Sequence, residues 1–159
     1  MSFVEERLFQ LDYELPRTPK ALAKYVTVKR TGNMLYLSGS GCFVNGKPVY
    51  EGRLGKDLTI EQGIEAAKIT VLNLLSSIRG EIGNLDNIRQ VVKIVGFVNS
   101  SNDFFDQAKV IDGASNLLVE LLSEKGHSAR SAIGTSVLPS NTPVIIEMIV
   151  EIDADKVGD

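Results

Sequence analysis

The chain has 159 residues, 43% hydrophobic and 23% charged, which suits one globular domain with its own core and leaves too little length for two. A net charge of −3 argues against a protein whose main work is gripping a phosphate backbone, because non-specific nucleic-acid binding rests on clustered Lys and Arg. One cysteine, Cys42, and one histidine, His127, exclude an internal disulfide and a Cys/His metal site within one chain. No metal or cofactor is expected, and no apolar run is long enough to span a bilayer. The acidic, charge-broken start MSFVEERLFQ does not read as a secretory signal, so a cytoplasmic location is the expectation.

Ser2 to Gln10 reads as a short helix with Phe3, Leu8 and Phe9 on its apolar side. Pro16 and Pro19 then make residues 15–20 an extended, irregular connector. Tyr25–Lys29 and Met34–Ser38 alternate about the turn Thr31-Gly32-Asn33 and predict a hairpin. The small residues Ser38-Gly39-Ser40-Gly41 end it, either as a plain bend or bulge or as backbone that a ligand can approach closely. Asn45-Gly46 marks a second small hairpin over residues 43–49.

A long helix begins at Thr59, where Thr59 and Gln62 form a capping box. Ile64, Ala67, Val71, Leu74, Leu75 and Ile78 make its buried stripe, and Gly80 and Gly83 end it. Ile88–Asn99 is the next strand, buried in part on both faces. A second long helix runs from about Phe104 to Lys125 with Asp103 as N-cap. Its stripe is Phe104, Ala108, Ile111, Ser115, Leu118 and Leu122, and Gly113 within it predicts close packing against a sheet. Strands over Ser131–Val137 and Pro143–Ile152, joined at Leu138-Pro139-Ser140-Asn141, complete the chain.

The order β-β-α-β-α-β-β, with two amphipathic helices, predicts an α+β two-layer sandwich in which both helices cover one face of a mixed sheet. The run VIIEMIV is apolar on both sides, which is too much for a solvated face and predicts self-association through the sheet. One residue before the penultimate strand, Arg130 stands between Ala129 and Ser131. Most arginines are solvated or salt-bridging, yet the planar fork of this side chain can hold a carboxylate bidentately and keeps its charge.

The combination of Tyr25, GNMLYLSG over 32–39, GNLD over 83–86, VVKIVGFV over 91–98, NDF over 102–104 and ARSAIGTSVLP over 129–139 resembles the RidA family, also called YjgF/YER057c/UK114 or endoribonuclease L-PSP. The likeness runs from Tyr25 to Ile152, with residues 1–24 as an N-terminal extension packing on a single domain over 1–159. The longer N-terminus and the segment RLGKDLTIEQG place the chain in a divergent branch. The resemblance implies a chorismate-mutase-like fold, a homotrimer with ligand pockets at the subunit interfaces, and hydrolysis of reactive enamines and imines to 2-oxo acids and ammonia.

It also implies roles. Arg130 falls at the carboxylate-binding arginine, Tyr25 at a pocket tyrosine, Ser38 and Gly39 at the serine-glycine pair lining the pocket, and Ala132 where many members carry a cysteine. Two departures stand out. Ile145, fifteen residues after Arg130, occupies the position of the family's glutamate, a group suited to activating the attacking water. Glu147 shares a strand face with Ile145, but two strand residues displace it by roughly 7 Å. Asp112 lies at or beside an asparagine position, where an anion would weaken a carboxylate ligand.

Two other functions compete with deamination. A non-catalytic trimer that senses a small carboxylic acid would keep Arg130 and use Ile145 as an apolar floor. Ribonuclease activity has only the old family label behind it, because an acidic chain with one histidine lacks a catalytic histidine pair. His127 follows a helix C-terminus, where histidines serve the helix dipole more often than chemistry, and Cys42 reads as a small packed residue.

Overall fold

A computed structural model describes residues 1–158. Its elements in chain order are α1 (Phe3–Gln10), β1 (Val28–Thr31), β2 (Met34–Ser40), β3 (Phe43–Val44), β4 (Lys47–Pro48), α2 (Ile60–Ile82), β5 (Ile88–Asn99), α3 (Gln107–Leu122), β6 (Ala129–Thr135) and β7 (Val144–Ile152). The main sheet has the order β1-β2-β7-β5-β6, and β3 and β4 form a separate ribbon. All neighbours in the main sheet run antiparallel except β5 and β6, which are parallel and are joined through α3. This is the two-layer mixed-sheet α+β architecture expected from the order of the elements.

β7 shows how the two faces differ. Val144, Ile146, Met148, Val150 and Ile152 are buried in the core shared with α2 and α3. Ile145, Ile149 and Glu151 are only half-buried, and Glu147 is exposed, on the side without helices. The register aligns Ile145 with Phe97 of β5, and Phe97 with Ile133 of β6, so an apolar row crosses three strands on that open face. Ile133 and Tyr36 are each 47% exposed there, so the chain leaves this row without a helical cover.

Local chemistry explains the long helix. Thr59 Oγ1 accepts from the Gln62 amide at 3.2 Å, and Gln62 Oε1 accepts from the Thr59 amide at 2.9 Å, closing the capping box. Gly83, at φ +75, ends the helix; Gly80 stays inside it. Ala67, Val71, Leu74, Leu75 and Ile78 are buried as the stripe predicts, whereas Ile64 is only half-buried.

Several expectations shift. β1 runs over Val28–Thr31, because the turn Gly32-Asn33 pairs Thr31 with Met34 and carries the strand up to the turn. Tyr25 therefore precedes the strand. β6 begins at Ala129, so Arg130 lies inside it. α3 starts at Gln107, not Phe104, and Asp103 accepts from Ser101 Oγ at 2.8 Å and caps no helix. With the start moved, the buried face of α3 turns to Val110, Ile111, Ala114, Leu117, Leu118 and Leu121, and Ala108 is exposed. Gly113 packs against α2 and not the sheet: a Cβ there would stand 2.5 Å from the Ile64 carbonyl oxygen.

On α1 the buried pair is Val4 and Leu8, while Phe3 and Phe9 are 54% and 75% exposed. The Arg7 guanidinium covers the outward Phe3 ring, 5.3 Å from its centroid. The amides of Phe3 and Val4 donate to the Asp86 carboxylate at 2.8 and 3.0 Å, which binds this helix N-terminus to the turn before β5. Further along, Ser76 Oγ donates to the Pro16 carbonyl at 2.7 Å and holds the proline-rich connector on α2.

Candidate functional site

The pairing of β2 with β7 breaks at one place. Leu37 faces Met148 and Ser40 faces Ile146, so Ser38 and Gly39 together oppose Glu147 in a bulge. Ser38 is held by its amide, which donates to Thr27 O at 3.0 Å, and by its hydroxyl, which donates to Val26 O at 2.7 Å. Gly39 must be glycine: a Cβ would lie 2.7 Å from Ile145 Cγ2 and 3.9 Å from Glu147 Cγ. The bulge thus stands over both Ile145 and Glu147.

Beside the bulge opens a cavity of about 690 Å³. One wall is the backbone of residues 38–41. A second is α2, through Asn73 and Ser77, and a third is the connector 16–20, with Tyr25 at the mouth. Asn73 Nδ2 donates to Gly41 O at 3.0 Å and Phe43 O at 2.8 Å, which fixes the chain leaving β2 against the helix. Tyr25 is 50% exposed. The strand-end residues therefore form both the bulge and one wall of the cavity.

Arg130 lies elsewhere. It sits on the edge strand β6 opposite Ile94, whose side chain is fully buried, so Arg130 points to the helical side of the sheet. Its Nη1 donates to Asp112 Oδ1 at 2.7 Å and to Ser115 Oγ at 3.3 Å, both on α3. Ala132, two residues on, faces the same side and packs against the core. Ile145 and Glu147 lie on the open face in the middle of the sheet.

One chain therefore brings Tyr25, Ser38 and Gly39 to one cavity and Arg130, Asp112 and Ala132 to the far edge. β7 and β5 intervene, and three inter-strand steps of roughly 4.8 Å separate β2 from β6 by about 14 Å. No small carboxylate spans that distance.

Asn73 and Ser77, buried polar residues of α2, form its wall of the cavity, and a reading of this helix from its apolar stripe passes over them. Arg17 and Lys20 carry no signal in the sequence, since charged residues in a connector are ordinarily solvated. His127 is exposed, with Nε2 3.9 Å from Glu124 Oε1 at the end of the turn after α3. Cys42 is buried, its Sγ 3.5 Å from Tyr50 O, which matches a packed residue. Among the described residues no three His, Cys, Asp or Glu side chains gather as a metal set, and no helix is long and apolar enough to cross a membrane.

The sandwich, the bulge and the edge arginine define a protein of the chorismate-mutase-like class, and comparison with known sequences gives its family. Residues 5–152 match the family model described as "YjgF/chorismate_mutase-like, putative endoribonuclease", and the chain belongs to that family. It is 33% identical over 158 residues to Protein TCP17 of Trypanosoma cruzi, covering 94% of each chain. Among solved structures it resembles Atu1372 of Agrobacterium tumefaciens, a protein of unknown function, with 39% identity, a TM-score of 0.90 and 95% and 93% of the two chains covered. It also resembles a structure from Shewanella oneidensis described as a "putative endoribonuclease", at 31% identity and a TM-score of 0.91, covering 94% and 99%.

Proposed function

We propose that the protein hydrolyses reactive 2-imino acids, the tautomers of enamines, to 2-oxo acids and ammonia, at a site that copies of the chain complete for one another. The observation that carries this reading is the separation of the two half-sites. Among the described residues that line the cavity beside Ser38 and Gly39 none comes from β6, and Arg130 lies at the far edge of the sheet. Docking the β6 edge of one copy beside the β2 bulge of the next supplies each half with the other. The uncovered apolar row Ile133, Phe97, Ile145 gives such an assembly a surface to bury, in the trimer that the family resemblance implies.

In the assembled site Arg130 holds the substrate carboxylate. Only its Nη1 is engaged among the described residues, so Nε and Nη2 remain for the ligand. The ladder is broken at the bulge, where backbone and the cavity wall position the imine carbon and a water. Water adds to C2 of the iminium, the C–N bond breaks, and the two water protons leave on nitrogen: the iminium and water give the 2-oxo acid and ammonium. An iminium is already electrophilic, so positioning supplies much of the barrier reduction. Among the described residues no Asp or Glu lines the cavity, so in this scheme backbone at the bulge holds the water and its protons pass to the departing nitrogen.

A second reading, binding of a small carboxylic acid without turnover, is favoured by Ile145, which puts an alkyl group where the family's acid is expected. One experiment separates the two. Ammonia or 2-oxo acid release is followed from 2-aminoacrylate generated enzymatically, with the wild type and Arg130→Ala. Acceleration that Arg130→Ala abolishes supports hydrolysis. A rate equal to buffer in both, with a thermal shift on adding 2-oxo acids, supports binding alone.

A further inference from the structure

The cavity beside the bulge is unevenly charged. Arg17 and Lys20 both line it, and no Asp or Glu does. This is notable in a chain of net charge −3, where acids outnumber bases by 20 to 17. Neither cation forms an ion pair among the described residues, so both charges stay available to a ligand. Both lie on the connector whose position the helix fixes: Ser76 Oγ donates to Pro16 O at 2.7 Å, and Thr18 Oγ1 to Ser76 O at 3.4 Å. Pro16 and Pro19 restrict the backbone on either side. In an extended, proline-rich segment residues three apart share a side, which is the spacing of Arg17 and Lys20.

We propose that the pocket takes a small dianion: Arg17 and Lys20 hold a second acidic group, carboxylate or phosphate, at the end of the ligand away from the carboxylate that Arg130 clamps. This rests on the proposed location of the site and adds the substrate class. Two cations fixed by a tethered arm and facing no counter-charge raise the local concentration of anions and favour the doubly charged ligand. A cavity of about 690 Å³ has room for a chain with an acid at each end.

Calorimetric titration of the full-length protein with three ligands of matched length tests this: butyrate, succinate and 3-phosphonopropionate. The expectation is that one or both diacids bind about tenfold or more tighter than butyrate. The diacid that gains most identifies the second group as carboxylate or phosphate. In Arg17→Ala/Lys20→Ala the diacid preference collapses toward unity, and in the wild type it falls as salt is raised. Equal affinity for butyrate and both diacids, failure of all three to bind, or a preference that survives the double substitution overturns the inference. The Arg130→Ala protein separates the two proposals. If it binds all three ligands as the wild type does while the double variant loses the preference, the Arg130 clamp is wrong and the dianion pocket stands. Because both replaced side chains are exposed and unpaired, circular dichroism and melting of the double variant are expected to match the wild type.

Discussion

Arg130 and Asp112 are bonded across the edge of the sheet, Nη1 to Oδ1 at 2.7 Å, with the arginine side chain 26% and the aspartate 51% exposed. The chain thus places an anion against the one arginine of β6. A carboxylate at this guanidinium, as proposed, would have to share the fork with Asp112, approaching through Nε and Nη2 while Nη1 stays engaged. Ser115, three residues along α3, takes the second contact at 3.3 Å and keeps the side chain directed along the helix.

Asp112→Ala is expected to tighten binding of small carboxylates. An ion pair this exposed contributes about 0.2–1 kcal/mol, which corresponds to at most about fivefold in affinity. Calorimetric titration with pyruvate or butyrate measures it. A weaker affinity in the variant would show instead that Asp112 positions the guanidinium more than it competes with the ligand.

Ile145→Glu is expected to raise the rate of imine hydrolysis. A positioned acid-base group contributes about 10²–10⁴-fold, and an introduced one that is not yet optimised should reach at least about tenfold in kcat. The gain should disappear when Arg130→Ala is added, because the substrate is then no longer held. Initial rates of 2-oxo acid formation decide. An unchanged rate with a folded protein would place the chemistry away from β7.

The elements that were legible in the sequence are those set by local chemistry. The Thr59–Gln62 capping box lies within one turn, and it located the start of α2. Asn45-Gly46 marked the β3–β4 ribbon because a type I′ turn requires positive φ at both central positions, observed at 52 and 75. What local pattern could not give was contact across the chain. Gly113 announced a close approach, but which surface approached was decided by how α3 crosses α2. Asp103 has the chemistry of a cap, yet Ser101 claims it and the helix begins without one.

The site divides in the same way. Arg130, Ser38 and Gly39 were legible as a set through family resemblance. Their placement on opposite sides of β7 and β5 follows only from strand order. That Arg17 and Lys20 line the cavity depends on a hydrogen bond between Ser76 and Pro16, sixty residues apart. No periodicity in the connector could report that contact.

Gly39→Ala is expected to destabilise the fold by about 1–3 kcal/mol, the usual cost of overpacking. The new methyl would stand 2.7 Å from Ile145 Cγ2 in a bulge whose Ser38 is already fixed by two hydrogen bonds to residues 26 and 27. Ile145→Ala removes the obstructing atom, so the double variant should recover part of the loss. A coupling of about 0.5–3 kcal/mol in a double-mutant cycle by urea denaturation is the expected result. Additive effects would mean that the bulge moves away from β7 and not against it.

Gly113→Ala should destabilise the fold and Gly80→Ala should not, although both replace a glycine inside a helix. Alanine is favoured over glycine there by up to about 1 kcal/mol. At Gly113 the added Cβ meets the Ile64 carbonyl oxygen at 2.5 Å and its Cα at 3.1 Å, and a helix backbone cannot step aside as a side chain can. Overpacking of about 1–3 kcal/mol, toward its upper end, exceeds the propensity gain and leaves a net loss of about 1–2 kcal/mol. At Gly80 the nearest atom is Thr18 Cγ2 at 3.1 Å, the end of a short exposed side chain on the connector. Thr18 can yield by a few tenths of an ångström, so Gly80→Ala should be neutral or stabilising by up to about 1 kcal/mol. Urea midpoints at unchanged m-value measure both. A stabilised Gly113→Ala protein would show that α3 can slide along α2, and with it Asp112 and the orientation of Arg130.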